Sequence, residues 1–137
     1  MSRRTLLGFI LLLCTIFVGY PAATRQANPQ AVSVVQLIAN PDKYDSRPVT
    51  VIGCLKFDGE RIVLFLGCED ARHHVTINGL WVNPTAQMSE TLSKLDGNYV
   101  MLVGTFAEYH SNTLHLSVGE IKDIQEALLW SPNSTSH

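Results

Sequence analysis

Apolar and polar positions alternate with a period of two through "VTVIGCLKFDGERIVLFLG", Val49 to Gly67. That period is the mark of β-structure, and Asp58-Gly59 in its middle is a hairpin signal. With those two residues as the turn, Phe57 faces Glu60, Leu55 faces Ile62, Gly53 faces Leu64 and Val51 faces Leu66. One face then carries Val51, Leu55, Phe57, Ile62, Leu64 and Leu66, and the other carries Ile52, Cys54, Lys56, Arg61, Val63 and Phe65. A sheet buried on one side shows polar residues on its other face. Here the second face is half apolar, so part of it is expected to be covered or used.

Helical spacing flanks and interrupts this β pattern. Ahead of the hairpin, "SVVQLIANP" offers Ser33 as an N-cap with Gln36 three places on, the capping-box arrangement. Val34, Leu37 and Ile38 share one face, and Asn40-Pro41 stops the turn. After the hairpin a third strand is expected over Thr76–Asn83, with Gly79 as a bulge or a point of close approach. Asn83-Pro84 then opens a helix carrying Met88, Leu92 and Leu95, with Gly97 placed for the C-terminal cap. A fourth strand covers Asn98–Phe106, and "EYHSN" makes a loop. The fifth strand alternates Leu114, Leu116 and Val118, and Gly119 shifts the phase to Ile121 and Ile124 as a bulge would.

Three strands, a helix and two strands is the layout of an OB-fold, a five-stranded, partly open Greek-key barrel. The expected fold is therefore mainly β: an OB-like barrel with a helix between strands three and four and a short N-terminal helix. "VTVIG" and "VMLVG" each place a glycine fifth, Gly53 and Gly104, where a coiled strand needs room. The strings "SVVQLIANPDKYDSRPVTVIGCLKFDGE", "NGLWVN" and "LDGNYVMLVGTF" resemble a group of small exported bacterial proteins with an OB-type barrel and no settled function. The resemblance spans most of residues 33–124 and carries no catalytic residues with it.

The 137 residues hold one domain, and the N-terminus reads as separate from it. Arg3 and Arg4 precede an apolar run from Leu6 to Val18, followed by Gly19, Pro21, Ala22 and Ala23. This is the pattern of a secretory signal peptide, with a run shorter than the about 20 residues of a spanning helix. Residues 1–23 are thus read as a signal peptide, or as an uncleaved anchor, because Tyr20 and Pro21 fit poorly before a cut. "SRRTLL" is similar to a twin-arginine export motif and "LLLC" to a lipoprotein box, and general secretion is preferred to both. Residues 24–32 read as a linker, 33–127 as the barrel domain and 128–137 as a flexible tail. Asn133-Ser134-Thr135 is a formal glycosylation sequon, meaningful only in a eukaryotic secretory pathway.

Charge narrows the partners. The chain's formal net charge is −2, and removal of Arg3 and Arg4 with the leader leaves −4. A negative surface disfavours nonspecific attraction to nucleic acid or anionic lipid. Membrane contact is then expected only through an uncleaved N-terminal segment.

Candidate ligand-binding residues follow from the face an OB-fold uses, its second and third strands with the adjoining loops. They are Lys56, Arg61, Phe65 and Trp81, with Tyr109 and His110 in the last loop. Aromatics interleaved with bases suit single-stranded nucleic acid, but two bases on an acidic domain make that partner disfavoured. The structural reading has Phe65 and Trp81 packed under the N-terminal helix. A metal alternative rests on "CEDARHH", where Cys68, Glu69, Asp70, His73 and His74 are zinc-type donors, with His110 and His115 able to approach. Its spacing matches no strong signature, so a solvated loop is the preferred reading, and no cofactor is expected beyond adventitious zinc or copper.

In the register above, Cys68 lies opposite Val49, five residues from Cys54. At about 3.3 Å per residue that is roughly 16 Å, beyond the roughly 7 Å that a disulfide spans between α-carbons. Both thiols are therefore expected to be free, provided the strand continues through Gly67. Ser33, Ser46, Ser89, Ser93, Ser111 and Ser117 sit in no nucleophile motif, so an enzyme is disfavoured. The function expected is a binding or interaction module, periplasmic or extracellular, whose partner is an envelope protein or a small ligand. The alternatives are a metal-binding protein or metal-dependent enzyme at Glu69–His74 and single-strand nucleic-acid binding.

Overall fold

A computed structural model describes residues 27–110 and 117–132; residues 1–26, with the expected signal peptide, residues 111–116 and residues 133–137, with the formal sequon, lie outside it. The elements in chain order are β1 (Gln30–Ser33), α1 (Val34–Ala39), α2 (Pro41–Tyr44), β2 (Pro48–Asp58), β3 (Arg61–Phe65), α3 (Cys68–Arg72), β4 (Gly79–Asn83), α4 (Ala86–Ser93), β5 (Tyr99–Glu108) and β6 (Gly119–Leu129). A 3-10 turn, Thr76–Asn78, precedes β4. The protein is mainly β, a six-stranded sheet in the order β1-β2-β3-β4-β6-β5. A further β2–β5 pairing closes five of those strands into a ring.

The first half of β2 pairs with β5, from Pro48 opposite Thr105 to Cys54 opposite Tyr99. Its second half pairs with β3, from Cys54 opposite Phe65 to Asp58 opposite Arg61. The switch falls at Gly53, where an added Cβ would stand 2.5 Å from the Phe65 carbonyl oxygen. The glycine thus allows β2 to bend between its partners. β4 runs antiparallel to β3 and parallel to β6, with Trp81 opposite Glu120.

The ring closes around one apolar core. Val49, Val51, Leu55, Leu64, Leu80, Val100, Leu102, Phe106 and Ile121 are buried in it, joined by Val34 and Leu37 of α1 and Leu92 of α4. Met88 packs against it, as its helical spacing predicts, and so does Leu95, although α4 ends at Ser93 and Leu95 lies in the turn that follows. α1 begins with the expected capping box: the Gln36 N–H donates to Ser33 Oγ at 3.1 Å, and the Ser33 N–H donates to Gln36 Oε1 at 2.9 Å. Asn40 ends α1, but Pro41 then starts the short α2, proline being tolerated in a first turn. Among the described residues no helix is long and apolar enough to cross a membrane.

The structure corrects four details. The expected linker already forms β1 at Gln30–Ser33, parallel to β2. The expected tail starts one residue inside the end of β6, which runs to Leu129. β6 begins only at Gly119, and Leu114 and Leu116 of the expected alternation lie outside the described residues; the strand's own irregularity falls between the Val103 and Thr105 pairings with Glu126 and Lys122, near Asp123 with its φ of 48°. The hairpin turn is Gly59-Glu60, with Gly59 at φ 62° in the first central position, so Asp58 pairs with Arg61 and Leu55 with Leu64. Favoured hairpin turns need a positive φ there, which glycine takes most cheaply. The pairing moves by two positions, so every side chain keeps its predicted face.

Candidate functional site

On the outward side of β3 and β4, period-two alternation places Val63 and Phe65 beside Trp81, with Arg61 beyond. Half of this face is covered. Cys54, Val63, Phe65 and Ala71 form a second buried cluster, with Cys68 and Trp81 packed against it. The cover is α3, so Phe65, 1 % exposed, lies under α3 and not under the N-terminal helix.

A Cys54–Cys68 disulfide fastens that cover, with the α-carbons 5.1 Å apart. The expectation of two free thiols is therefore wrong. Its premise was a strand continuing through Gly67, whereas β3 ends at Phe65 and Gly67 serves as the N-cap of α3. Chain reversal brings Cys68 back over Cys54, and the corrected register places Cys54 beside Phe65 at the end of β3. Gly79, opposite Phe65, completes the fit: an added Cβ would stand 2.7 Å from Val63 Cγ1 and 3.2 Å from the Phe65 ring.

The other half of the face is an open groove of about 490 Å³. Arg61 of β3, Trp81 and Asn83 of β4, Ser89 of α4, Tyr109 just past β5 and Glu120 of β6 line it. The Arg61 guanidinium lies 4.9 Å from the Trp81 ring centroid, a cation–π arrangement. Tyr109 meets the indole edge-on, with centroids 5.7 Å apart. Its hydroxyl donates to Glu120 Oε2 at 2.9 Å, and Asn83 Nδ2 donates to the same oxygen at 3.5 Å. Burial, then the Glu120 hydrogen bond and charge, hold the Tyr109 phenol well above its ordinary range. It is a neutral donor throughout the physiological range.

The six candidate binding residues thus divide. Arg61, Trp81 and Tyr109 converge on the groove. Phe65 is core, and Lys56 lies apart, 3.5 Å from Asp96. His110 sits by Asp45 at 3.5 Å and Glu108 at 3.8 Å. The Asp45 carboxyl is held below its ordinary range, chiefly because it accepts the Glu108 N–H at 2.8 Å. Glu120 and Asn83 were not singled out from the sequence. The signal for them lay in the parallel β4–β6 register, which periodicity does not reveal.

The metal candidates disperse. Glu69 pairs with His73 at 3.0 Å and also with Arg72. Asp70 accepts from Asn78 at 3.2 Å, and His74 turns toward Asp58 at 3.8 Å. Among the described residues no three His, Cys, Asp or Glu side chains gather to hold a metal ion. His115 lies outside the described residues. Ser117 is buried, its hydroxyl within 2.9 Å of the Gly79 and Gly119 carbonyl oxygens, a tie between the starts of β4 and β6.

No protein-family model matches this sequence, and no curated protein matches it. Among solved structures, the chain is similar to one assigned as an aspartyl-tRNA synthetase from Leishmania major Friedlin, with a TM-score of 0.47 and 12 % identity. That match covers 78 % of this chain and 22 % of the other.

Proposed function

We propose that this protein is an exported binding module with an OB-like barrel, and that the groove lined by Arg61, Trp81, Tyr109 and Glu120 is its ligand site. The convergence of those four side chains from β3, β4, β6 and the end of β5 carries the reading. Its volume lies within the roughly 300–1,000 Å³ of small-molecule sites. The strand order supports the barrel, because a ring of five strands with α4 between β4 and β5 is the OB arrangement. The disulfide and the basic–apolar–small N-terminus support export, since disulfides persist in oxidising compartments.

The same groove disfavours nucleic acid, because Glu60 and Glu120 outnumber Arg61 along it. A metal function is disfavoured too, since among the described residues of Glu69–His74 the one close donor pair is Glu69 with His73. The test is an amide NMR titration of the chain with zinc, short oligonucleotides and cell-wall fragments, first pooled and then separately. Shifts clustering at Arg61, Trp81, Tyr109 and Glu120 are expected. Shifts confined to Glu69–His74, or none at all, would overturn the reading.

A further inference from the structure

The groove's own chemistry restricts its ligand, provided the binding reading above is right. A peptide bound by strand addition would need a free strand edge to pair with. None of the lining strands offers one beside Trp81: β3 lies between β2 and β4, and β4 lies between β3 and β6. A polyanion meets two carboxylates, Glu60 and Glu120, against one guanidinium.

What the groove does offer is a mixed set of side-chain donors and acceptors beside apolar surface. Glu120 is a carboxylate oriented by two donors, Tyr109 and Asn83. The Asn83 amide and the Arg61 guanidinium are planar groups able to engage two neighbouring ligand oxygens at once. Trp81 and Pro84 supply the apolar surface next to them. A ring with hydroxyls around its rim and C–H bonds on its face matches both halves of that lining. We infer that the groove binds a neutral saccharide, with the hydroxyls on Glu120, Asn83 and Arg61 and the ring against Pro84 and the part of Trp81 that Arg61 leaves uncovered.

The experiment uses the full chain carrying Trp130→Phe, which leaves Trp81 as the remaining tryptophan of two. Trp81 emission is followed during titration with chitotetraose, cellotetraose and maltotetraose, and separately with octathymidylate and hexalysine. A saturable change with at least one tetrasaccharide is expected. Glu120→Gln and Asn83→Ala, each with an unchanged circular dichroism spectrum, are expected to weaken it tenfold or more. A saccharide response that both variants leave intact overturns the assignment. A response to octathymidylate or hexalysine alone overturns the saccharide and leaves the groove as a binding site. Silence toward every probe overturns the saccharide, and a silent NMR titration beside it removes the groove reading as well.

Discussion

The two halves of the outward β3–β4 face start from the same alternation and end differently. Around Phe65 the face is closed by α3, the disulfide and the bare Gly79. Around Trp81 it is open, and polar groups are arrayed over an aromatic floor. The contrast shows that an apolar outward position has two uses on one sheet. A large ring opposite a glycine and beneath a stapled helix is core. A large ring beside a guanidinium and a carboxylate lies on an open groove.

The sharpest way to break this comparison is to truncate both rings. Phe65→Ala should cost about 3–5 kcal/mol, as aromatic deletions in cores do, and Trp81→Ala clearly less. Urea denaturation measures both, and equal losses would mean that the two halves are not distinct. Next, replacing Cys54 and Cys68 together by serine should cost about 3 kcal/mol, the scale for closing a loop of this length. The same bond predicts a non-reduced mass lower by two hydrogen atoms than that of the reduced protein. Gly79→Ala should follow at about 1–3 kcal/mol, the range for overpacking, and should leave saccharide affinity at Trp81 within about twofold.

The smallest effect concerns pH on the open half. The folded state raises the Tyr109 phenol above its ordinary value of about 10. Between those two values the folded chain holds a proton that the unfolded chain has lost, so the stabilisation is complete below about pH 10 and fades above it. Tyr109→Phe should flatten that alkaline limb in stability measured against pH. An unchanged limb would show that the titration of Tyr109 is not its cause.

Local patterns carried much of this architecture. The Ser33–Gln36 capping box, the alternation of Leu55 and Leu64, and the spacing of Met88, Leu92 and Leu95 each depend on near neighbours, and each was legible. The hairpin turn was misplaced by one residue, because Asp-Gly and Gly-Glu both put Gly59 at a central position. The faces survived that error, and the disulfide was missed for a different reason. Whether Cys68 meets Cys54 depends on where β3 stops, and Gly67 alone does not say whether a strand ends or bends. The groove was half legible for a related reason. Arg61 and Trp81 lie on paired neighbouring strands, whereas Glu120 reaches them through a parallel pairing between residues far apart in the chain.

The double pairing of β2 also has a consequence in time. Its second half finds β3 within a few residues, but its first half needs β5, some fifty positions later. A hairpin forms on the order of microseconds, whereas topologies dominated by distant pairings fold in roughly milliseconds to seconds. As the chain emerges, Pro48–Gly53 therefore waits with an unpaired edge until Tyr99–Glu108 arrives. Ring closure, and with it the groove, is the late event in the life of each new molecule.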